Sequence, residues 1–208
     1  MNTNEKIKKR YNRIASYFDL LQKPMGTSGF DKWRKKLIEQ VNGKTLEVGV
    51  GTGKNLRFYN RDIDLTAIDF SKNMLEKAKA KYRKELPMAN FMEMDVENLD
   101  FEDNTFDTVV TSCVFCSVPN PIKGLQEIKR VLKPNGQLIM LEHVRSNGKI
   151  LGALMDWFNF IPLNIIGDNI NRKTGENLRK AGFTDIEEVK LWKDVVKFFN
   201  VKNDFLKP

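Results

Sequence analysis

From Lys44 onward the chain alternates short apolar runs with glycine-rich or polar turns and amphipathic stretches, and this alternation restricts the fold more than any other feature of the sequence. The apolar runs are TLEVGV (45–50), LTAIDF (65–70), NFMEMD (90–95), FDTVVTS (106–112) and QLIMLEHV (137–144). Helical periodicity lies between them at 53–60, 71–84 and 121–132, the last closed by Pro134, Asn135 and Gly136. Strands joined through helices require right-handed crossovers, hence a parallel sheet covered on both faces. A further helix is expected at 172–181, ending at Gly182, followed by two runs, 183–192 and 195–203, parted by Lys193 and Asp194. That separation suits a tight hairpin, so one of the last two strands is expected to run antiparallel to the rest. The predicted class is α/β: a doubly wound, mostly parallel seven-stranded sheet with an antiparallel C-terminal hairpin strand.

Ahead of the alternation, Ile7, Tyr11, Ile14 and Phe18 recur at helical spacing over 5–20, and Trp33, Leu37 and Val41 over 28–42. These two helices form an expected N-terminal cap. With 208 residues, 41% of them hydrophobic, the chain can bury one sizeable core. No repeat or linker divides it, so one domain over 1–208 is expected: cap (1–42), core with the binding loop (43–145), apolar insertion (146–171), and C-terminal helix and hairpin (172–208). No run approaches the roughly 18 apolar residues that span a bilayer, and the opening MNTNEKIKKRYNRI has no apolar leader. The expected address is the cytoplasm, with peripheral attachment to a membrane as a variant.

The formal net charge of +8 concentrates early, in Lys6, Lys8, Lys9, Arg10 and Arg13 and then Lys32, Arg34, Lys35 and Lys36. Such a surface favours anionic lipid head groups, nucleic acid or acidic metabolites, and equally fits a solvated helix face. Cys113 and Cys116 stand in C-x-x-C spacing, which serves redox or metal chemistry in other settings. No other cysteine is available to complete a four-ligand cluster, so two buried thiols beside a strand end, and no metal, are expected.

The first strand runs into Glu47-Val48-Gly49-Val50-Gly51-Thr52-Gly53-Lys54, with a helix expected directly after. Glycines here let backbone approach a ligand closely, and a helix N-terminus would turn free N–H groups toward negative charge. Sixteen residues past Gly53, at the end of the second strand, Asp69 can accept from both hydroxyls of a ribose. The dinucleotide fingerprint is G-x-G-x-x-G, whereas the glycines here follow G-x-G-x-G and Lys54 takes the third fingerprint position, which disfavours a nicotinamide-dependent reductase. Asp95, after the third strand, completes a series of polar groups at the edge where such sheets bind ligands, although it also suits an ordinary turn.

LEVGVGTG, AIDFSKNMLEKAKAK, MEMDVENLDFEDNTFDTVV and VLKPNGQLIMLEHVRS, in this order, resemble the class I S-adenosylmethionine-dependent methyltransferases, a Rossmann-like family, over about residues 9–203. YNRIASYFDLLQKPMGTSGFDKWRKKL is similar to the opening of bacterial phosphatidylethanolamine N-methyltransferases and ubiquinone/menaquinone C-methyltransferases. VFCSVPNPIKGLQEIKRVLKPNG with LEHVRS is similar to animal thiol S-methyltransferases. The resemblance implies S-adenosyl-L-methionine as cofactor. It implies that Glu47, Gly49, Gly51 and Gly53 hold its methionine part, that Asp69 binds its ribose with Phe70 and Met74 beside it, and that Asp95 and Val96 flank adenine. Ser112 and Cys113 then lie beside the methyl donor, and Tyr11 and Tyr17 close over it, unless either is a core residue. Lys54 and Asn55 replace the acidic residue usual in the quinone enzymes, and the Asn/Asp-Pro-Pro-aromatic motif of base-amine methylases is absent, which argues against nucleic acid as partner.

Methyl transfer needs an acceptor lone pair in line with the methyl group, and a nearby base where the acceptor must lose a proton. His143, the only histidine, stands at the end of the fifth strand as a candidate base or orienting group, with a structural role as the alternative. Glu142 is expected to orient it or to line the acceptor pocket. The insertion ILGALMDWFNFIPLNIIG (150–167) is apolar for a connection. It reads as a lid or membrane-facing patch exposing Met155, Trp157, Phe158 and Phe160, or as a helix packed on the sheet. The expected partner is a small-molecule or lipid-like acceptor, best an amine such as a phospholipid head group, with contact to an anionic membrane. S-methylation of a small thiol, C- or O-methylation of a quinone-like molecule, and a non-catalytic cofactor-binding module are the alternatives. Oligomeric state has no signal in the sequence.

Overall fold

The computed structural model describes residues 3–18, 28–160, 162 and 167–204. Expectations for 19–27, and for 161 and 163–166 of the apolar insertion, lie outside the described residues. The helices are α1 (Thr3–Ile14), α2 (Ser28–Ile38), α3 (Lys72–Tyr82), α4 (Pro121–Val131), α5 (Lys149–Phe158) and α6 (Thr174–Lys180). The strands are β1 (Thr45–Val48), β2 (Leu65–Asp69), β3 (Asn90–Glu93), β4 (Phe106–Ser112), β5 (Leu132–His143), β6 (Asp185–Trp192) and β7 (Val196–Lys202). They form one seven-stranded sheet in the order β3-β2-β1-β4-β5-β7-β6. Pairs from β3 through β5 are parallel, and β7 runs antiparallel to both neighbours.

The central strands are apolar without interruption because both faces are covered. Val109, Leu138 and Met140 pack on the side of α4 and α6 with Leu178 and Phe199, whereas Val110, Ile139 and Leu141 pack on the other side with Leu37, Leu75 and Phe198. Successive residues of one strand thus feed two cores, as the pleat requires. The hairpin turns at Lys193, which adopts φ 49°, and closes with Val195 N donating to Trp192 O. Asp194 accepts from Ser146 Oγ and Asn147 N, fastening the turn to the segment after β5.

The helix expected at 53–60 is replaced by turns and a short 3₁₀ segment, Leu56–Phe58. Gly49, Gly51 and Gly53 have φ 68°, 56° and 84°, and such backbone cannot open a right-handed helix. Asn55 is committed to a buried hydrogen bond with Glu47. Pro134, Asn135 and Gly136 do not terminate α4. That helix ends at Val131, and the three residues sit within β5, where the register shifts against β4. Met155 is buried, with its sulfur accepting from Ser146 N, rather than exposed. Ile150, Leu154, Trp157, Phe158 and Phe160 form the exposed apolar face instead.

The cap is tied down by polar contacts. Ser71 caps α3 by accepting from Met74 N and donates its own hydroxyl hydrogen to Asn12 Oδ1. Lys77 Nζ donates to Ala15 O at the end of α1. These bonds hold α1 over the C-terminal edge of the sheet.

Candidate active site

A cavity of about 430 Å³ opens at the C-terminal edge of β1 through β5, where loops after parallel strands converge. Ile7, Tyr11 and Ile14 of α1 form one wall. Of the residues singled out above, Tyr11, Gly49, Gly51, Asp69, Phe70, Met74, Asp95, Val96, Ser112, Cys113 and His143 line it. Tyr17 does not, being 65% exposed, and Glu47, Gly53 and Glu142 lie beneath the surface of the cavity.

Asp69 organises the floor. Its Oδ2 accepts from Gly51 N and its Oδ1 from Ser71 N, both at 2.8 Å, tying the glycine turn to the end of β2. Burial pushes its carboxyl up to about 6 against the pull of those two N–H groups. Each oxygen keeps a further lone pair for a ligand hydroxyl. A Cβ on Gly51 would meet nothing within 4 Å, so the turn leaves open space. On Gly49 a Cβ would press on Val114, and on Gly53 it would strike the Tyr82 ring at 2.8 Å. Gly53 therefore serves packing against α3 and only indirectly the cavity. Glu47 is fully buried, accepts from Asn55 Nδ2 at 3.0 Å and is pushed up to about 7 by burial, with Asn55 and Arg34 opposing.

Asp95 folds its loop by accepting from Glu97 N at 2.9 Å, and Val96 packs beside Gly124. Ser112 Oγ is buried without a hydrogen-bond partner. Cys113 adopts φ 55°, and burial beside Glu142 pushes its thiol up to about 12. Burial pushes the Cys116 thiol up as well, and both cysteines are free. Neither is a thiolate near neutral pH, which leaves their spacing no support as a redox pair.

Burial lowers the pKa of His143 below 6.5, with a hydrogen bond to the Ile170 backbone opposing, so the imidazole is neutral at neutral pH. Glu142, its neighbour on β5, projects to the opposite face of the sheet and neither orients His143 nor reaches the cavity. Its Oε1 accepts from Thr111 Oγ1 and Val114 N, joining β5 to the loop after β4, and burial pushes its carboxyl up to about 7.

Two charged side chains of the cavity wall, Arg34 and Asp168, have surroundings that the sequence motifs do not show. Arg34 of α2 is 5% exposed, and its Nε and Nη1 have no hydrogen-bond partner, Asp31 lying 3.8 Å away. Its signal was available: it falls in register with Phe30, Leu37 and Ile38 on the apolar stripe, where a cation is out of place. Asp168 accepts from Tyr11 Oη at 2.5 Å, latching α1 to the segment before α6, and burial raises its carboxyl. Among the described residues no cluster of three His, Cys, Asp or Glu could hold a metal.

Residues 46–140 match the family described as a methyltransferase domain. A phosphatidylethanolamine N-methyltransferase of Cereibacter sphaeroides is 38% identical over 126 residues, covering 58% of this chain and 62% of that protein, so the chain spans less than two thirds of that relative. Thiol S-methyltransferase TMT1B of Mus musculus is 31% identical over 193 residues, covering 90% of this chain and 74% of that protein. The structure of phosphoethanolamine N-methyltransferase 2 of Haemonchus contortus in complex with S-adenosyl-L-methionine is similar with a TM-score of 0.74, over 99% of this chain and 60% of that one. At 16% identity this is a likeness of fold. A sheet order with one reversed strand, a glycine turn held by an acid at the end of β2, and these relatives together place the protein: the chain belongs to the class I S-adenosylmethionine-dependent methyltransferases.

Proposed function

We propose that the cavity beneath α1 takes S-adenosylmethionine and that the chain transfers its methyl group to an amphipathic amine such as a phospholipid head group. Arg34 carries the cofactor half. A buried guanidinium on the cavity wall, with two nitrogens that lack a hydrogen bond and only a loose 3.8 Å pair with Asp31, calls for an anion, and the amino-acid end of the cofactor supplies a carboxylate. Asp69 offers lone pairs to the ribose, Asp95 and Val96 flank the adenine, and Ser112 Oγ faces the methionyl part.

When bound, the cofactor supplies an electrophilic methyl group on a sulfonium. The protein's task is to align the acceptor and exclude water. Tyr11, latched to Asp168, closes the roof with Ile7 and Ile14. His143, kept neutral by burial, accepts the proton that the acceptor gives up. Glu142 acts as a positioning residue for the loop after β4.

The exposed apolar face of α5 supports the lipid half. It precedes Pro162 and Asp168, which wall the cavity, while basic α1 forms another wall. Apolar side chains beside cations suit the interface of an anionic membrane. S-methylation of a small thiol is the second reading, favoured by the similarity to the mouse enzyme, with His143 taking the thiol proton. Methylation of a quinone-like molecule follows it.

Methyl-labelled cofactor, offered with phosphatidylethanolamine vesicles or with a small thiol, decides among these readings. Labelled lipid is expected. Label in the thiol alone replaces the lipid reading with the second, and cofactor binding with no acceptor labelled from whole-cell extracts leaves a binding module. No affinity for the cofactor by calorimetry, or affinity unchanged in Asp69→Ala, overturns the cofactor assignment. Co-sedimentation with anionic vesicles should be salt-sensitive and lost in Trp157→Ser/Phe158→Ser; absence of binding by the unaltered protein removes the membrane.

A further inference from the structure

A second cavity, of about 390 Å³, lies between the segment after β5, the start of α6 and the outer strands β6 and β7. We propose that it is a binding site for a phosphate-class oxyanion, free phosphate or a phosphomonoester. The inference stands apart from the methyl-transfer reading, because none of its evidence comes from the cavity beneath α1.

Five cations line this cavity: Arg145, Arg172, Lys173, Arg179 and Lys197. Glu176 pairs with Lys173 at 3.1 Å, Glu188 with Lys197 at 3.0 Å and Arg179 at 3.5 Å, and Asp156, outside the lining, with Arg145 at 2.8 Å. Arg172 also donates to Phe115 O and Val118 O and has Asp168 and Glu97 nearby, so its charge is largely met from the far side. Within the lining itself five cations stand against two carboxylates, Glu176 and Glu188, a balance that suits an anion such as a phosphomonoester, which carries nearly two negative charges at pH 7.

Two buried side chains distinguish this cavity from an ordinary solvated ion-pair network. Lys197 is 6% exposed, and the structure gives its ammonium one hydrogen-bond acceptor, Glu188 Oε2, out of three donors. Thr174 lines the cavity and is 2% exposed, and its Oγ1 has no hydrogen-bond partner. Buried hydroxyls are rarely left unpaired, and an oxyanion drawn into the basic cavity would supply the missing acceptor. Gly175 contributes by lacking a side chain, since a Cβ there would run into Glu188 Oε1.

The test uses the full chain and calorimetry at fixed ionic strength, with inorganic phosphate, phosphoethanolamine and glycerophosphoethanolamine as probes against a chloride control. Saturable phosphate binding is expected, with phosphoethanolamine binding at least as well. Glycerophosphoethanolamine, a singly charged diester, should bind more weakly if the site takes free phosphate or monoesters, and tighter binding of the diester would overturn that assignment in favour of a lipid head group. Thr174→Val, nearly isosteric, should weaken phosphate by about fivefold while raising the melting temperature of the phosphate-free protein, a pairing of signs that a purely structural threonine would not produce. Arg179→Gln, at an exposed position, should weaken phosphate without altering cofactor affinity. No saturable phosphate binding up to about 10 mM, a range already weaker than 4 kcal/mol of affinity, overturns the site. So does phosphate binding that Arg34→Met abolishes and Thr174→Val leaves unchanged, which would move the anion to the first cavity.

Discussion

Replacing Arg34 with Met separates two consequences that ordinarily move together. In the ligand-free protein the guanidinium is buried, with Nε and Nη1 unpartnered and Asp31 too distant for a hydrogen bond. An apolar side chain of similar length removes that desolvation cost, so the melting temperature of the free protein should stay level or rise. With cofactor bound, the same change deletes a charge-assisted pair with the carboxylate. Hydrogen bonds to charged groups contribute about 1.5–3 kcal/mol, which at about 1.4 kcal/mol per decade is a loss of roughly 12- to 150-fold in affinity. Calorimetry with S-adenosylhomocysteine measures it. 5′-Methylthioadenosine, which keeps the adenosine and lacks the carboxylate, should bind wild type and Arg34→Met equally. A loss of less than about threefold for S-adenosylhomocysteine, or an equal loss for both ligands, refutes the assignment of Arg34 to the carboxylate.

Three further outcomes are expected. Because burial depresses the pKa of His143 below 6.5, its neutral form prevails at neutral pH; kcat/KM should fall only on the acid side of 6.5, and His143→Gln should abolish that acidic limb. Glu142 has the opposite linkage: its carboxyl is raised to about 7 from 4.5, so the folded state holds a proton the unfolded state has released, and stability declines as pH rises between those values. Glu142→Gln, which still accepts from Thr111 and Val114, should therefore raise the melting temperature at pH 8 and leave it nearly unchanged at pH 4.5, the difference being on the order of 3 kcal/mol. Gly53→Ala forces φ 84° on a side chain that meets the Tyr82 ring, and thermal unfolding should show a loss of at least about 2 kcal/mol, roughly 4–8 °C in melting temperature.

The strands were legible because each is a local pattern: TLEV, LTAID and FDTVVTS are runs of apolar or β-branched residues that a doubly covered sheet requires. The glycine turn and Asp69 were legible for a similar reason, since G-x-G-x-G and an acid at the end of the next strand are short-range signals. The expected helix at 53–60 failed because its apolar spacing, Leu56 and Tyr59, serves two buried contacts in a turn whose backbone three glycines bend the other way. Glu142 is next to His143 in sequence but not in space, because the pleat sends the two side chains to opposite faces of the sheet.

Residue order alone thus determined which segments become strands, where the chain bends sharply and which acid stands at the end of β2, because hydrophobic period and backbone freedom act over a few residues. Only the tertiary structure decided that Arg34 reaches the cavity without a hydrogen-bond partner, that Tyr11 latches onto Asp168 157 residues away, and that Thr174 and Lys197 are buried beside a second, basic cavity. Burial and charge pairing are properties of the assembled sheet and its covering helices, and no window of neighbouring residues contains them.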